Sequence, residues 1–116
     1  MLNLLKRYKP TVIDYQIQLY EHESSLLRFK ATVIFVDGSK LQIKEYRFSN
    51  DSRKYAYHWE SADGILKVRW DNAAHWPNIS TFPHHRHLDD SDNVQPSTET
   101  SLEDVMKYIT SHLNGI

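Results

Sequence analysis

The chain has 116 residues, of which 40% are hydrophobic, 12% aromatic and 25% charged, with a formal net charge of −1; these values fit a single globular domain over residues 1–116 and exclude a disordered chain, which would carry few aromatics. No apolar run nears the ~20 residues of a membrane helix, and Met1 to Arg7 places its apolar residues before its charges, the reverse of a signal peptide, so a cytoplasmic protein with no membrane partner is expected. With no cysteine, disulfides, Fe–S clusters and thiolate zinc sites are excluded, and any metal would rest on His and carboxylate.

After Lys9-Pro10, residues Val12 to Tyr20 alternate, with Ile13, Tyr15, Ile17 and Leu19 on one side and Asp14, Gln16 and Gln18 on the other. A period of two predicts a half-buried strand. Leu26 to Val36 is rich in β-branched and aromatic residues, Asp37-Gly38 supplies a turn that accepts positive φ, and Leu41 to Phe48 alternates again, which predicts a hairpin. Lys54 to Trp59 and Ile65 to Trp70, separated by Ala62-Asp63-Gly64, predict a second one. Short turns forbid parallel crossovers, so the expected fold is α+β: an antiparallel meander of about five strands.

Residues 71–96 hold three of the four prolines and many polar residues, and are expected to form a long His-rich loop without regular structure. A helix over about 101–113 follows. Thr100 with Glu103, or Ser101 with Asp104, has the spacing of a capping pair, Leu102, Val105, Met106, Ile109 and Leu113 share one face, and Asn114-Gly115 is a natural stop. The apolar stripe is expected to pack on one face of the sheet.

Four of the seven histidines, His75, His84, His85 and His87, fall within residues 75–87. Imidazole exchanges protons near neutrality and is the commonest metal ligand, so three readings compete. In the first, favoured here, two of the histidines act as general base and acid on an RNA phosphodiester, without metal or other cofactor, while Arg69 or Arg86 stabilises developing charge and Asp71 orients an imidazole. In the second, His84, His85 and His87 with His75 or Asp71 bind a divalent metal, His85 and His87 projecting to the same side of an extended segment. In the third, the imidazoles are structural, capping carbonyls or stacking on Trp70, Trp76 and Phe82. His58, beside Trp59, would join the site from a neighbouring strand, while His112 in the last helical turn is expected to be structural.

Charge is uneven: residues 1–70 carry 12 Lys/Arg against 8 Asp/Glu, and residues 71–116 carry 2 against 7. A protein coating nucleic acid non-specifically would be basic throughout, but a local basic face is compatible with this distribution. Lys44, Arg47 and Tyr57, with Tyr46 and Tyr55, place cations beside aromatics on the strands, an arrangement that holds phosphate and stacks single-stranded bases.

The order Arg69-Trp70-Asp71-Asn72-Ala73, His75, Phe82-Pro83-His84-His85-Arg86-His87, a polar gap and Ser101-Leu102-Glu103-Asp104-Val105 resembles the TumE-type toxin family of toxin–antitoxin operons, from about Tyr15 to Leu113. The resemblance implies a toxin neutralised by a helix-turn-helix antitoxin, and a ribonuclease or other translation-blocking activity. It carries over to Arg69, Asp71, Asn72, His75, His84, His85 and His87. A single histidine in Ala74-His75-Trp76, where a His pair or a nearby acid would be expected in some relatives, weakens a metal site that relies on His75. The Leu26–Val36 strand, if it lies at a sheet edge, would support a homodimer.

Overall fold

The computed structural model describes residues 2–114, so Gly115 as a helix stop lies outside the described residues. A short helix α1 (Leu2–Arg7) leads into β1 (Val12–Glu23), β2 (Leu26–Phe35), β3 (Lys40–Arg47), β4 (Arg53–Glu60), β5 (Leu66–Asp71), β6 (His85–Leu88) and β7 (Val94–Pro96), and the chain continues into α2 (Leu102–Asn114). The described strands form one antiparallel sheet in the order β1 to β7, each strand paired with the next. The expected meander and C-terminal helix are therefore present, with seven strands in place of five. The two added strands lie inside the stretch expected to be a loop.

The hairpins follow from their turns. Gly38 sits at φ +86°, a conformation that side-chain-bearing residues avoid, and a Cβ there would lie 3.3 Å from the Cβ of Ala62. In β1 the alternation holds for Tyr15 and Ile17, which are half-buried on the core side, whereas Ile13 is turned out to solvent at a register shift between Val12 and Asp14, and a second shift between Ile17 and Leu19 sets Leu19 opposite Lys30 on the other face.

One face of the sheet is apolar. Phe29, Val33, Phe35, Leu41, Tyr55, Trp59, Val68 and Trp70 are buried there in one cluster with Leu5 of α1 and Leu102, Val105, Met106 and Ile109 of α2. The helical stripe is thus core, as its spacing predicts. Tyr108 of α2 meets the rings of Trp59 and Trp70 edge-on, at 6.4 and 5.2 Å between centroids, which fixes the helix across β4 and β5. At its start, Ser101 Oγ accepts from the Asp104 amide at 3.2 Å, and the Asp104 carboxylate accepts from the Thr100 amide at 3.1 Å. Of the two capping pairs expected, the structure uses Ser101 with Asp104. His112 is structural, as expected: it stacks on Tyr108 and its Nδ1 bonds the Tyr108 carbonyl.

β2 is not an edge. It pairs with β1 on one side and β3 on the other, so a dimer built on the Leu26–Val36 strand would require one of these pairings to break. The open edges of the sheet are β1 and β7. No described helix is long and apolar enough to cross a membrane.

Met106 is fully buried between helix and sheet. Met106→Ala should cost about 2–5 kcal/mol of stability through lost contacts and a residual cavity, read as a lower urea midpoint at unchanged slope.

Candidate functional site

The other face of the sheet carries most of the candidate site residues. Antiparallel pairing lines up residues across the strands, and residues two apart on one strand share a face. One row runs Lys30, Lys44, Ala56, Asp71, His85; the next runs Thr32, Gln42, His58, Arg69, His87. Two short sequence motifs far apart in the chain thereby become neighbours. The strand-end Arg69-x-Asp71 and the His85-x-His87 of β6 interlock directly, because Asp71 pairs with His85 and Arg69 with His87.

β6 was expected to be loop. Its four residues alternate all the same: His85 and His87 point to the site face and are buried, while Arg86 points to the helix side. The preceding segment is ordered by successive turns closed by Trp76, Ile79 and Thr81 carbonyls. Thr81 Oγ1 donates to the His84 carbonyl at 2.6 Å and accepts from the Ser97 amide at 3.0 Å, which ties the loop to the end of β7.

A cleft of about 400 Å³ opens over the second half of the first row. Asp71, His85 and His87 form its floor, Lys44, Lys54 and Arg69 supply three cations, and Asn72, His75 and Trp76 close the loop side. Ala56 contributes only a methyl group, which leaves the space between Lys44 and Asp71 open. Trp76, 41% exposed, stands edge-on to both buried imidazoles at 6.4 and 6.5 Å.

At the floor, His85 Nε2 lies 2.9 Å from Asp71 Oδ1, and His87 Nε2 lies 3.5 Å from Asp71 Oδ2. Arg69 Nε approaches the same Oδ2 at 3.4 Å, and the Ala73 amide donates to Oδ1 at 3.0 Å. The far nitrogens are held by the main chain: His85 Nδ1 by the Pro83 carbonyl at 3.0 Å, His87 Nδ1 by the Ser91 carbonyl at 2.8 Å. The donor atoms of Asp71, His85 and His87 all lie within 4.8 Å of one another.

Arg69 also reaches His58. Its Nη1 lies 3.4 Å from His58 Nδ1, and since a guanidinium has only donors, that nitrogen must accept. Burial, then the Arg69 charge, lowers the His58 pKa below its ordinary value, with Glu60 opposing.

Several expected site residues lie elsewhere. Tyr57 is fully buried on the helix side, where its hydroxyl donates to Glu45 and accepts from Arg53 at 3.0 Å. Burial, and then the Glu45 carboxylate, push its pKa up. A ring so enclosed offers no face to a base. Arg47 pairs with the same Glu45 at 3.3 Å, away from the cleft. Arg86 bonds Glu99 Oε1 at 3.2 Å and covers the Tyr108 ring, on the opposite side of the sheet from His85 and His87. His84 stacks on Tyr55, with its Nδ1 2.8 Å from the Tyr55 hydroxyl, and does not line the cleft. Asn72 does line it, but its amide is bonded to main chain: Oδ1 accepts from the Tyr55 amide and Nδ2 donates to the Arg53 carbonyl, extending the β4–β5 ladder by one residue.

Lys54 and Ala56 are the cleft residues that the sequence did not single out. Their signal was the alternation of β4: once Tyr55, Tyr57 and Trp59 are assigned to the core, Lys54, Ala56 and His58 must face the other way.

Residues 1–113 match the family model described as toxin TumE. No curated protein and no solved structure matches the chain.

The His58–Arg69 contact has a measurable consequence. The His58 C–H resonances should titrate below the ordinary imidazole midpoint of about 6.5, and Arg69→Gln should move that midpoint upward. A depressed folded-state pKa means that the unfolded chain binds this proton more readily, so the contribution of His58 to stability should decline as pH falls through the ordinary histidine range.

Proposed function

The chain belongs to the TumE toxin family, and from that premise we propose that it is the toxin of a toxin–antitoxin pair, held in check by a helix-turn-helix antitoxin, and that it acts as a ribonuclease at the cleft over Asp71. The observation that carries this reading is the convergence of Lys44, Lys54 and Arg69, from three adjacent strands, on a cleft that also holds a histidine cluster and a half-exposed tryptophan.

That combination suits single-stranded RNA. The cations neutralise phosphate, Trp76 offers an aromatic face for a base, and the cleft is open enough for a chain to enter from its rim. Basicity is local, which fits the net charge of −1: Lys44 and Lys54 line the cleft while the acids of the C-terminal third sit in the 89–92 turn, at Glu99 and on α2.

His75 lies at the exposed rim of the cleft. It is the imidazole with room to take the 2′-hydroxyl proton as that oxygen bonds phosphorus and the P–O5′ bond breaks, the departing 5′-oxygen taking a proton from solvent at the open rim, while Arg69 and the two lysines stabilise the charge that develops on the phosphorus oxygens. His85 and His87 are buried at the floor, and the scissile phosphate is held above them by Arg69 and the two lysines.

Expression without the antitoxin should arrest growth, and the purified chain should cut RNA. His75→Ala should relieve the arrest, and so should Ala56→Leu, which fills the cleft without adding charge; both should leave the circular dichroism spectrum unchanged. Lys54→Ala should weaken RNA binding at all sequences alike and reduce the slope of log affinity against log salt by about 1. A wild-type chain that leaves cells growing and RNA intact overturns the reading.

A further inference from the structure

We propose that Asp71, His85 and His87 form a binding site for a single divalent transition-metal ion, with Arg69 bracing the carboxylate from outside it. The inference rests on a hydrogen-bond count at the floor of the cleft. The Pro83 and Ser91 carbonyls can only accept, so at 3.0 and 2.8 Å they place a proton on Nδ1 of His85 and His87 respectively. In a neutral ring the other nitrogen then bears a lone pair. Both Nε2 atoms face Asp71, at 2.9 and 3.5 Å, so two lone pairs and a carboxylate, all electron-rich, meet at one point.

Such a meeting is unfavourable unless a positive charge sits there. The protein's own donors at Asp71 are the Ala73 amide on Oδ1 and Arg69 Nε on Oδ2, and both bond the carboxylate, not an imidazole nitrogen. A metal ion bound to both Nε2 atoms and a carboxylate oxygen resolves the conflict. Its three donor atoms are already within 4.8 Å of one another. The carbonyl contacts are then what metal-binding histidines ordinarily have: a partner on the remote nitrogen that fixes the tautomer and ring plane.

The backbone makes the site rigid. His85 and His87 are two apart on β6, and Asp71 lies opposite His85 on β5, so all three ligands hang from one pair of hydrogen-bonded strands. Three protein ligands leave the cleft side open, the arrangement of catalytic rather than structural metals. Two imidazoles with one carboxylate favour zinc, manganese, cobalt, nickel or iron over magnesium or calcium, which prefer all-oxygen shells. His75, included in the metal set suggested by sequence, is outside this triangle. Bound there, the ion would act as a Lewis acid toward an anionic group in the cleft.

The competing account is a buried imidazolium paired with Asp71, with a proton in place of the metal. Calorimetry separates the two. Full-length chain stripped with a chelator and titrated with zinc, manganese and nickel should bind one ion per chain and melt at a higher temperature. His87→Gln, which keeps a polar side chain of similar length, should lower affinity at least tenfold. Asp71→Asn should do the same while its circular dichroism stays that of the wild type, and His22→Ala, on β1, should bind as the wild type does. Absence of stoichiometric binding, or equal binding by His87→Gln, overturns the site. The ribonuclease reading fails separately: metal bound with RNA left uncut removes the reaction and keeps the site, whereas RNA cut by a chain that binds none of the three metals removes the site and keeps the reaction.

Discussion

The pairing of β5 with β6 is the constraint on which the rest of this molecule depends. Four residues of β6 are enough to set Asp71 opposite His85 and Arg69 opposite His87. A slip of one residue would turn both imidazoles toward α2 and bring Arg86 and Leu88 into the cleft, because side chains alternate strictly along a strand. The register is held from both sides. On the helix side, Glu99 Oε1 takes the Trp70 indole N–H at 3.1 Å and Arg86 Nη1 at 3.2 Å, tying together adjacent positions of β5 and β6. On the site face, the Asp71 carboxylate does the same for His85 and His87.

The sheet therefore divides its polar chemistry between two faces. Beneath α1 and α2, the buried Glu45 is met by Arg53, Arg47 and the Tyr57 hydroxyl, a paired and hydrogen-bonded charge of the kind that a protein interior tolerates. On the opposite face, the ladder of Gln18, Thr32, Gln42 and Glu60 gives way to the cations and imidazoles of the cleft. On the helix side the carboxylate is enclosed and satisfied by its neighbours. The cations of the cleft are gathered beside open space.

The hairpin at Asp37-Gly38, the capping of α2 and its core stripe were legible because each is written locally, in a turn residue, a four-residue spacing and a helical period. The motifs of the site were legible too, and Asp71, His75, His85, His87, Arg69 and Lys44 do line one cleft. The polar residues and prolines of the 71–96 stretch hid β6 and β7, which are pinned by contacts far apart in sequence: Glu99 holds Arg86 of β6, and Thr81 holds Ser97 just after β7. Assignment of residues to faces went astray for a different reason. Arg86 stands between two histidines and shares their motif, yet on a strand that position points the opposite way. Tyr57 is aromatic and lies among cations, yet it shares the parity of Tyr55 and Trp59. Which parity is core depends on where α2 lands, and that is a property of the whole sheet.

The grip on the two imidazoles comes from peptide carbonyls at Pro83 and Ser91 and not from side chains. Every amino acid carries that oxygen. The turn holding Ser91 is thus free to drift in composition, provided that its backbone keeps its path, including Asp89 at φ +62°. Orientation of the rings is inherited through the shape of the chain, so relatives that differ at position 91 would be expected to present His87 unchanged, and an inspection of side chains alone would overlook what aims it.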